Sequence, residues 1–224
     1  MLAGEAVVAI WNGIAPEGRA EFYEWHLHEH IPERVGIPGF KRGRRYIAAD
    51  AATQPEFFTL YEAESFQVLQ GQDYAGRLNA PTPWTRRATS HFRDTSRALA
   101  RVLASTGVGP GGAILTLRFD LPDEAAEASD EIAALLPRIA KLPQVTGAHL
   151  CRSDDEASGI KTTESRDRID ITAPPRSFIL VEACGVGPLA NVETALRRNR
   201  FIDEASAGRY LLEHTRLKTA WTAG

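Results

Sequence analysis

Three histidines fall within five residues, His26, His28 and His30, in the stretch FYEWHLHEHIPERVGIPGFKRGRRY that runs from Phe22 to Tyr46. At about 100° per residue, His26 and His30 share one face of a helix and His28 points roughly the opposite way. Glu29 and Glu33 flank the cluster. An imidazole titrates near ~6.5 and, beside a carboxylate at a pocket mouth, shuttles protons at neutral pH. His30 is the candidate acid/base and His26 its auxiliary. A His pair at i,i+4 also has the spacing of a zinc chelate. The letters are H-L-H-E-H, however, so no fixed catalytic Glu follows the first His, and no third ligand is evident. The expectation is therefore no metal. A plainer reading stays open: histidines near a helix C-terminus are favoured by the helix dipole or simply solvated.

Other residues could hold a ligand. Lys41, Arg42, Arg44 and Arg45 make one segment strongly basic, and strand alternation puts Arg42 and Arg44 on one face. An inward Arg44 would suit a carboxylate-bearing substrate; a solvated edge strand guarded by charge is the alternative. Arg93, Arg97 and Arg101 recur every four residues and share one side, with Asp94 beside them pointing to surface ion pairs. Trp11, Trp25, Tyr46 and Tyr61 are candidate pocket walls, although aromatics at such positions also serve as core. TGVGPGG at Thr106–Gly112 lacks the Lys-Ser/Thr of a phosphate loop, no G-x-S-x-G is present, and neither cysteine has a neighbouring histidine.

The elements that must position these residues follow from pattern. The chain has 224 residues, 43% hydrophobic and 25% charged, with a net charge of −3, the profile of a globular protein with a real core. That balance offers no electrostatic reason for nucleic acid or an anionic membrane as partner. No apolar run approaches the ~18 residues of a membrane span, and the N-terminus lacks the basic start of a signal peptide. Cys151 and Cys184 read as reduced thiols of a cytoplasmic protein.

Periodicity predicts a strand over Ala6–Ile14, a helix from about Glu17 to Glu29 that Pro32 ends or kinks near His30, and a turn at Pro38-Gly39. Strands follow at Phe40–Ala49 and Glu56–Ala63, then a helix over Ser65–Asn79, a loop holding Pro81 and Pro83, and a strand from about Thr89 to Val102. After the Gly-rich linker 106–112 the pattern restarts: strand Ala113–Leu121, helix Glu124–Leu142, strands Val145–Arg152 and Ser177–Cys184, helix Leu189–Arg200, strand Arg209–Ala220. Each half reads β-α-β-β-α-β. PEFFTLYEA matches PRSFILVEA, with Phe58/Phe178, Leu60/Leu180 and Glu62/Glu182 each 120 apart; Asp94–Arg97 matches Glu213–Arg216 at 119, and Pro38 matches Pro143 at 105. The growing offset places an insertion in 154–175, a polar stretch read as exposed or partly disordered. The predicted fold class is α+β: tandem ferredoxin-like repeats over 1–105 and 113–224, packed sheet on sheet into an intrachain α+β barrel.

Trp25, His30-Ile31-Pro32, Pro38-Gly39-Phe40 and Tyr46 resemble the signature of the EthD-like branch of the dimeric α+β barrel superfamily. The resemblance covers about 25 residues in detail and the first half in outline. It implies a pocket for a small aromatic or lactone acid, chemistry of the cofactor-independent isomerase, decarboxylase or monooxygenase type, and a family histidine at His30. Tyr46 and Arg44 would hold the substrate. It leaves room for a non-catalytic ligand-binding or stress-response protein, for a haem- or metal-binding member, and for pairing into a homodimer. The second half departs from the pattern: its first helix carries no histidine, so any site occurs once per chain.

Overall fold

The computed structural model describes residues 1–121, 126–166 and 170–219. Eight strands close into one antiparallel barrel in the order β1-β3-β2-β8-β5-β7-β6-β4. They are β1 (Ala6–Ile14), β2 (Phe40–Ala48), β3 (Phe57–Ala63), β4 (Phe92–Gly107), β5 (Ala113–Phe119), β6 (Val145–Ser153), β7 (Ser177–Ala183) and β8 (Ser206–Leu217). Each half supplies a four-stranded sheet, β4-β1-β3-β2 and β8-β5-β7-β6, and the halves join where β2 pairs β8 and β4 pairs β6. This is the predicted α+β fold, with closure removing every free sheet edge.

Helices coat the outside: α1 (Arg19–Trp25), α2 (Ile31–Gly36), α3 (Phe66–Gln70), α4 (Gln72–Asn79) and α5 (Pro83–Ser90) on the first half, α6 (Ala126–Ile139), α7 (Asp155–Gly159) and α8 (Gly187–Leu196) after it. With helices on one face and the barrel interior on the other, both faces of a strand are dry. That is why β1 reads as a near-continuous apolar run, sending Val7, Ala9 and Trp11 inward and Ala6 and Val8 toward the helices.

Several boundaries differ from expectation. The first helix does not end near His30. It widens into a π turn at His26–His30, where Ile31 N–H donates to His26 O, and continues as α2 through Gly36. Pro32 has no N–H and its ring crowds the carbonyl four residues back, so a locally wider turn lets the helix carry it. Pro81 lies in the short connection between α4 and α5 as expected, but Pro83 opens α5 at a position where its missing N–H costs nothing, with Thr82 as the N-cap. The predicted single helix after Ser65 is two, broken at Gly71. Thr106 and Gly107 extend β4 rather than starting the linker. The predicted start of α6 at Glu124 and end of β8 at Ala220 lie outside the described residues.

Pairing registers also test the internal matches. Glu62 faces Arg42 and Glu182 faces Gly147, in keeping with the 105 spacing of Pro38 and Pro143. The match of Asp94–Arg97 with Glu213–Arg216 fails: Ala98 pairs Ala9 and its counterpart Gly208 pairs Thr116, so Arg97 corresponds to Ala207. Many described residues of the insertion are exposed, as expected, yet it is anchored. Within 154–166, Ser158 accepts from Leu99 N–H at 3.0 Å, and Thr163 N–H and Glu164 N–H donate to Asn79 Oδ1 and Leu78 O. An ordered segment crosses from the second sheet to the helices of the first.

Candidate active site

β1, β3 and the π turn meet in a small chamber between the first-half sheet and its helices. Its wall includes Asn12, Trp25, His26, His30, Arg34, Thr59, Tyr61, Tyr74, Arg97 and Glu164. The cavity is about 30 Å³, room for one or two waters. The structure thus brings together four predicted residues, His26, His30, Trp25 and Tyr61. His28 sits exposed on the other side of the helix, 3.5 Å from Glu24, as the spacing required.

Aromatic packing fixes the two imidazoles. Phe22 stacks on His26 at 5.0 Å between ring centroids, His26 on His30 at 5.5 Å, and Trp25 lies 4.2 Å from His30. Trp25 is itself held by α5: its Nε1 donates to Thr85 Oγ1 at 3.1 Å and to Glu29 Oε1 at 3.2 Å, and Thr82 and Thr85 also donate to that carboxylate. Glu29 therefore positions the tryptophan and does not face a substrate. His26 Nε2 lies 3.5 Å from Tyr61 Oη, and its Nδ1 has no partner among the described residues. Burial, then the positive charges of Arg45, His214 and Arg34, push the His26 pKa well below the usual imidazole value, so the ring is neutral. Burial raises the Tyr61 pKa, and its hydroxyl stays protonated. Gly43 makes room for this ring: a Cβ there would come within 3.0 Å of Tyr61 and of Val35.

Arg34, 3% exposed, sets a fixed positive charge on the chamber wall, where Arg97 adds a second. It pairs with Glu33 at 2.8 Å and with Glu164 from the inserted segment. Neither Arg34 nor Glu164 was singled out by sequence. Arg34 sits four residues after His30, one turn on along the same face, and that spacing was the available signal; Glu164 had none.

Tyr46, Arg44 and Trp11 lie elsewhere. Strand alternation sends them into the barrel, on the opposite sheet face from the histidines. Arg44 is fully buried, with Nη1 at 2.5 Å from Glu182 Oε2 and Nη2 at 3.0 Å from Glu62 Oε1. Arg42 grips Glu62 through two 2.7 Å hydrogen bonds. Main-chain N–H groups of Ala3 and Gly111 close the two carboxylates in matching fashion, and His149, which faces Leu180 as Arg44 faces Leu60, stands 3.4 Å from Glu182. This network engages both Nη groups of Arg44, while its Nε and the neighbouring Tyr46 hydroxyl have no hydrogen-bond partner among the described residues. Among the other arginines, Arg93 donates to the carbonyls of Ser90 and Phe92, and Arg101 stacks on Phe66 at 3.9 Å; neither pairs with Asp94. Both cysteines are free.

A larger groove of 590 Å³ runs between α6 and α8. Its lining includes Glu131, Arg138, Arg198 and Arg200 and no histidine or cysteine. Among the described residues no group of three His, Cys, Asp or Glu side chains is placed to hold a metal ion, and no helix is long and apolar enough to cross a membrane.

No protein-family model matches the chain, and no curated protein matches it. Solved structures do. An anthrone oxidase-like protein superposes with a TM-score of 0.60 at 11% identity, covering 95% of this chain and 92% of its own. A candidate monooxygenase from Fusobacterium nucleatum subsp. nucleatum ATCC 25586 gives 0.58 at 8%, covering 97% and 96%. A haem-binding protein from Thermus thermophilus gives 0.53 at 9%, covering 94% and 92%. A porphyrin does not fit the histidine chamber here, whose 30 Å³ is far below the ~300–1,000 Å³ of typical ligand pockets. Both the closed eight-stranded barrel and its full-length likeness to these structures give the chain the ferredoxin-like dimeric α+β barrel fold, with both sheets carried on one polypeptide.

Proposed function

We propose that this chain is a small-molecule enzyme of the EthD-like, cofactor-independent kind, working by proton transfer on an aromatic or lactone acid in the His26/His30 chamber. The observation that carries the reading is the pair of stacked, buried imidazoles, one held neutral, facing a protonated tyrosine in a water-sized cavity. Proton removal from an acidic carbon or a phenol is the step that isomerisation and cofactor-free oxygenation share. His30 takes that proton, and neutral His26 and the Tyr61 hydroxyl donate toward the substrate oxygen on which charge develops. Dry aromatic walls strengthen each of these interactions. The chamber admits only the reacting end of a substrate.

The test begins with aromatic and lactone acids that raise the melting temperature. Each hit is then followed for deuterium uptake at carbon in heavy water and for oxygen consumption. Histidine-dependent exchange or turnover is expected, with His30→Ala slower by about 10²–10⁴-fold, the usual worth of a positioned general base. Turnover unchanged in His30→Ala overturns the assignment; ligands that bind without exchange or turnover make the chain a binding protein.

A further inference from the structure

Beside the histidine chamber lies a second cavity, about 200 Å³, between β4 and residues 158–165 and 171–174. Arg97 and Glu164 line both, so the two cavities share a wall. Thr95 and Arg97 come from β4, while Ile160, Ile171, Ala173 and Pro174 supply apolar surface from the segment. The cleft is built rather than incidental. Thr95 bridges Ile171, Thr172 N–H donates to Thr95 O at 2.9 Å, and Ser158 is tied to Leu99.

Three polar groups on its wall lack partners among the described residues: the exposed Lys161 ammonium, which stands in solvent, and two that are more enclosed. The Arg97 guanidinium makes no hydrogen bond or ion pair there, whereas Arg93 and Arg101, its neighbours in the four-residue periodicity, are both engaged. Thr95 is 3% exposed, and its Oγ1 has no partner. A buried hydroxyl without a partner is rare enough to need an explanation. Glu164, the carboxylate at the same junction, is committed to Arg34. A half-buried arginine fork with no counter-ion among the described residues, set in an apolar-walled cleft with a hydroxyl nearby, is what a carboxylate fits. At 200 Å³ the space is below the ~300–1,000 Å³ of drug-sized ligands, which limits the guest to one ring or a short chain.

We infer that this cleft binds a small carboxylic acid with an apolar body. Arg97 holds the carboxylate at the junction, Thr95 hydrogen-bonds to it, and the apolar body fills the outer cavity. The carboxylate then faces the histidine chamber with the carbon next to it directly behind, a placement whose use in catalysis rests on the acid/base reading above; the binding itself does not.

Phenylacetate and its neutral counterpart phenylacetamide are the probes, with Kd measured by calorimetry on the full chain. Phenylacetate is expected to bind at least tenfold more tightly than the amide. Arg97→Gln should weaken phenylacetate at least tenfold and leave the amide unchanged, Arg97→Lys should fall between, and Thr95→Val should weaken phenylacetate severalfold. His30→Ala should keep the wild-type Kd. Absence of saturable phenylacetate binding, equal affinity for acid and amide, or an Arg97→Gln variant that folds and binds normally would each overturn the site. If Arg97→Gln does not fold, Arg97→Lys binding phenylacetate like the wild type does the same. Arg97-dependent binding alongside turnover indifferent to His30 would sink the acid/base reading and leave this site standing.

Discussion

At the scale of single residues, the chain carries two clusters of buried charge with different purposes. Inside the barrel, the charges of Arg42, Arg44, Glu62 and Glu182 balance one another. Burial alone would raise the Glu182 pKa, but His149 at 3.4 Å and the Arg44 guanidinium outweigh it and hold the carboxyl at about 2. A depressed carboxylate contributes stability that is fully present above its unfolded pKa near ~4.3 and is lost as pH falls toward the folded value. We therefore expect unfolding free energy to drop between about pH 4.5 and pH 2, with Glu182 contributing on the order of 3 kcal/mol. Denaturant melts at several pH values test this, and Glu182→Gln should flatten the dependence. The same substitution leaves Arg44 partly uncompensated and should cost about 3–5 kcal/mol at neutral pH. In the histidine chamber the order is reversed: His26 is kept uncharged, and Arg34 and Arg97 supply fixed positive charge.

Among the elements, the π turn at His26–His30 and the segment 154–166 do most to shape the site. The turn is the local answer to Pro32, and it sets both imidazoles against Trp25 and Tyr61. The inserted segment reaches over from the second sheet and anchors on the first through Glu164, Thr163 and Ser158. Replacing Glu164 with Gln removes one of the two carboxylates on buried Arg34. Because Glu33 remains, the expected loss is about 1–3 kcal/mol rather than the full cost of an unpaired charge. Hydrogen exchange should rise at the amides of residues 155–165 and stay unchanged in β5 and β7. Unaltered exchange in the segment would mean that Glu164 is not what ties it down.

For the whole molecule, closure is decisive. Each four-stranded sheet shows the barrel interior an apolar face, Val7, Ala9, Trp11, Phe58 and Leu60 from the first half against Ile114, Phe178, Leu180 and Tyr210 from the second. A fragment of residues 1–107 would bare that face and the edges of β2 and β4, so it should self-associate, and co-expression with residues 113–224 should recover a soluble complex. A monomeric, cooperatively folded 1–107 fragment, judged by light scattering and thermal melting, would contradict this account. Much of the architecture was legible beforehand because it is written in short-range pattern: apolar runs for doubly covered strands, a matching strand pair around Phe58 and Phe178, and a His pair whose common face follows from helix geometry. The boundary at Pro83 was misplaced, and Pro32 distorts its helix near His30 without ending it, because a proline's effect depends on the turn that receives it. Arg44, Tyr46 and Trp11 do turn inward, but into the barrel and away from the histidines, since alternation says which residues share a face but not which face meets the helices. Sequence by itself determined the α+β class, the barrel and the His26/His30 pair. Only the tertiary structure decided that Arg34 and Glu164 complete the chamber and that Arg97 is left unpaired among the described residues, because those contacts join residues up to 130 positions apart, and no local periodicity encodes where an inserted segment comes to rest.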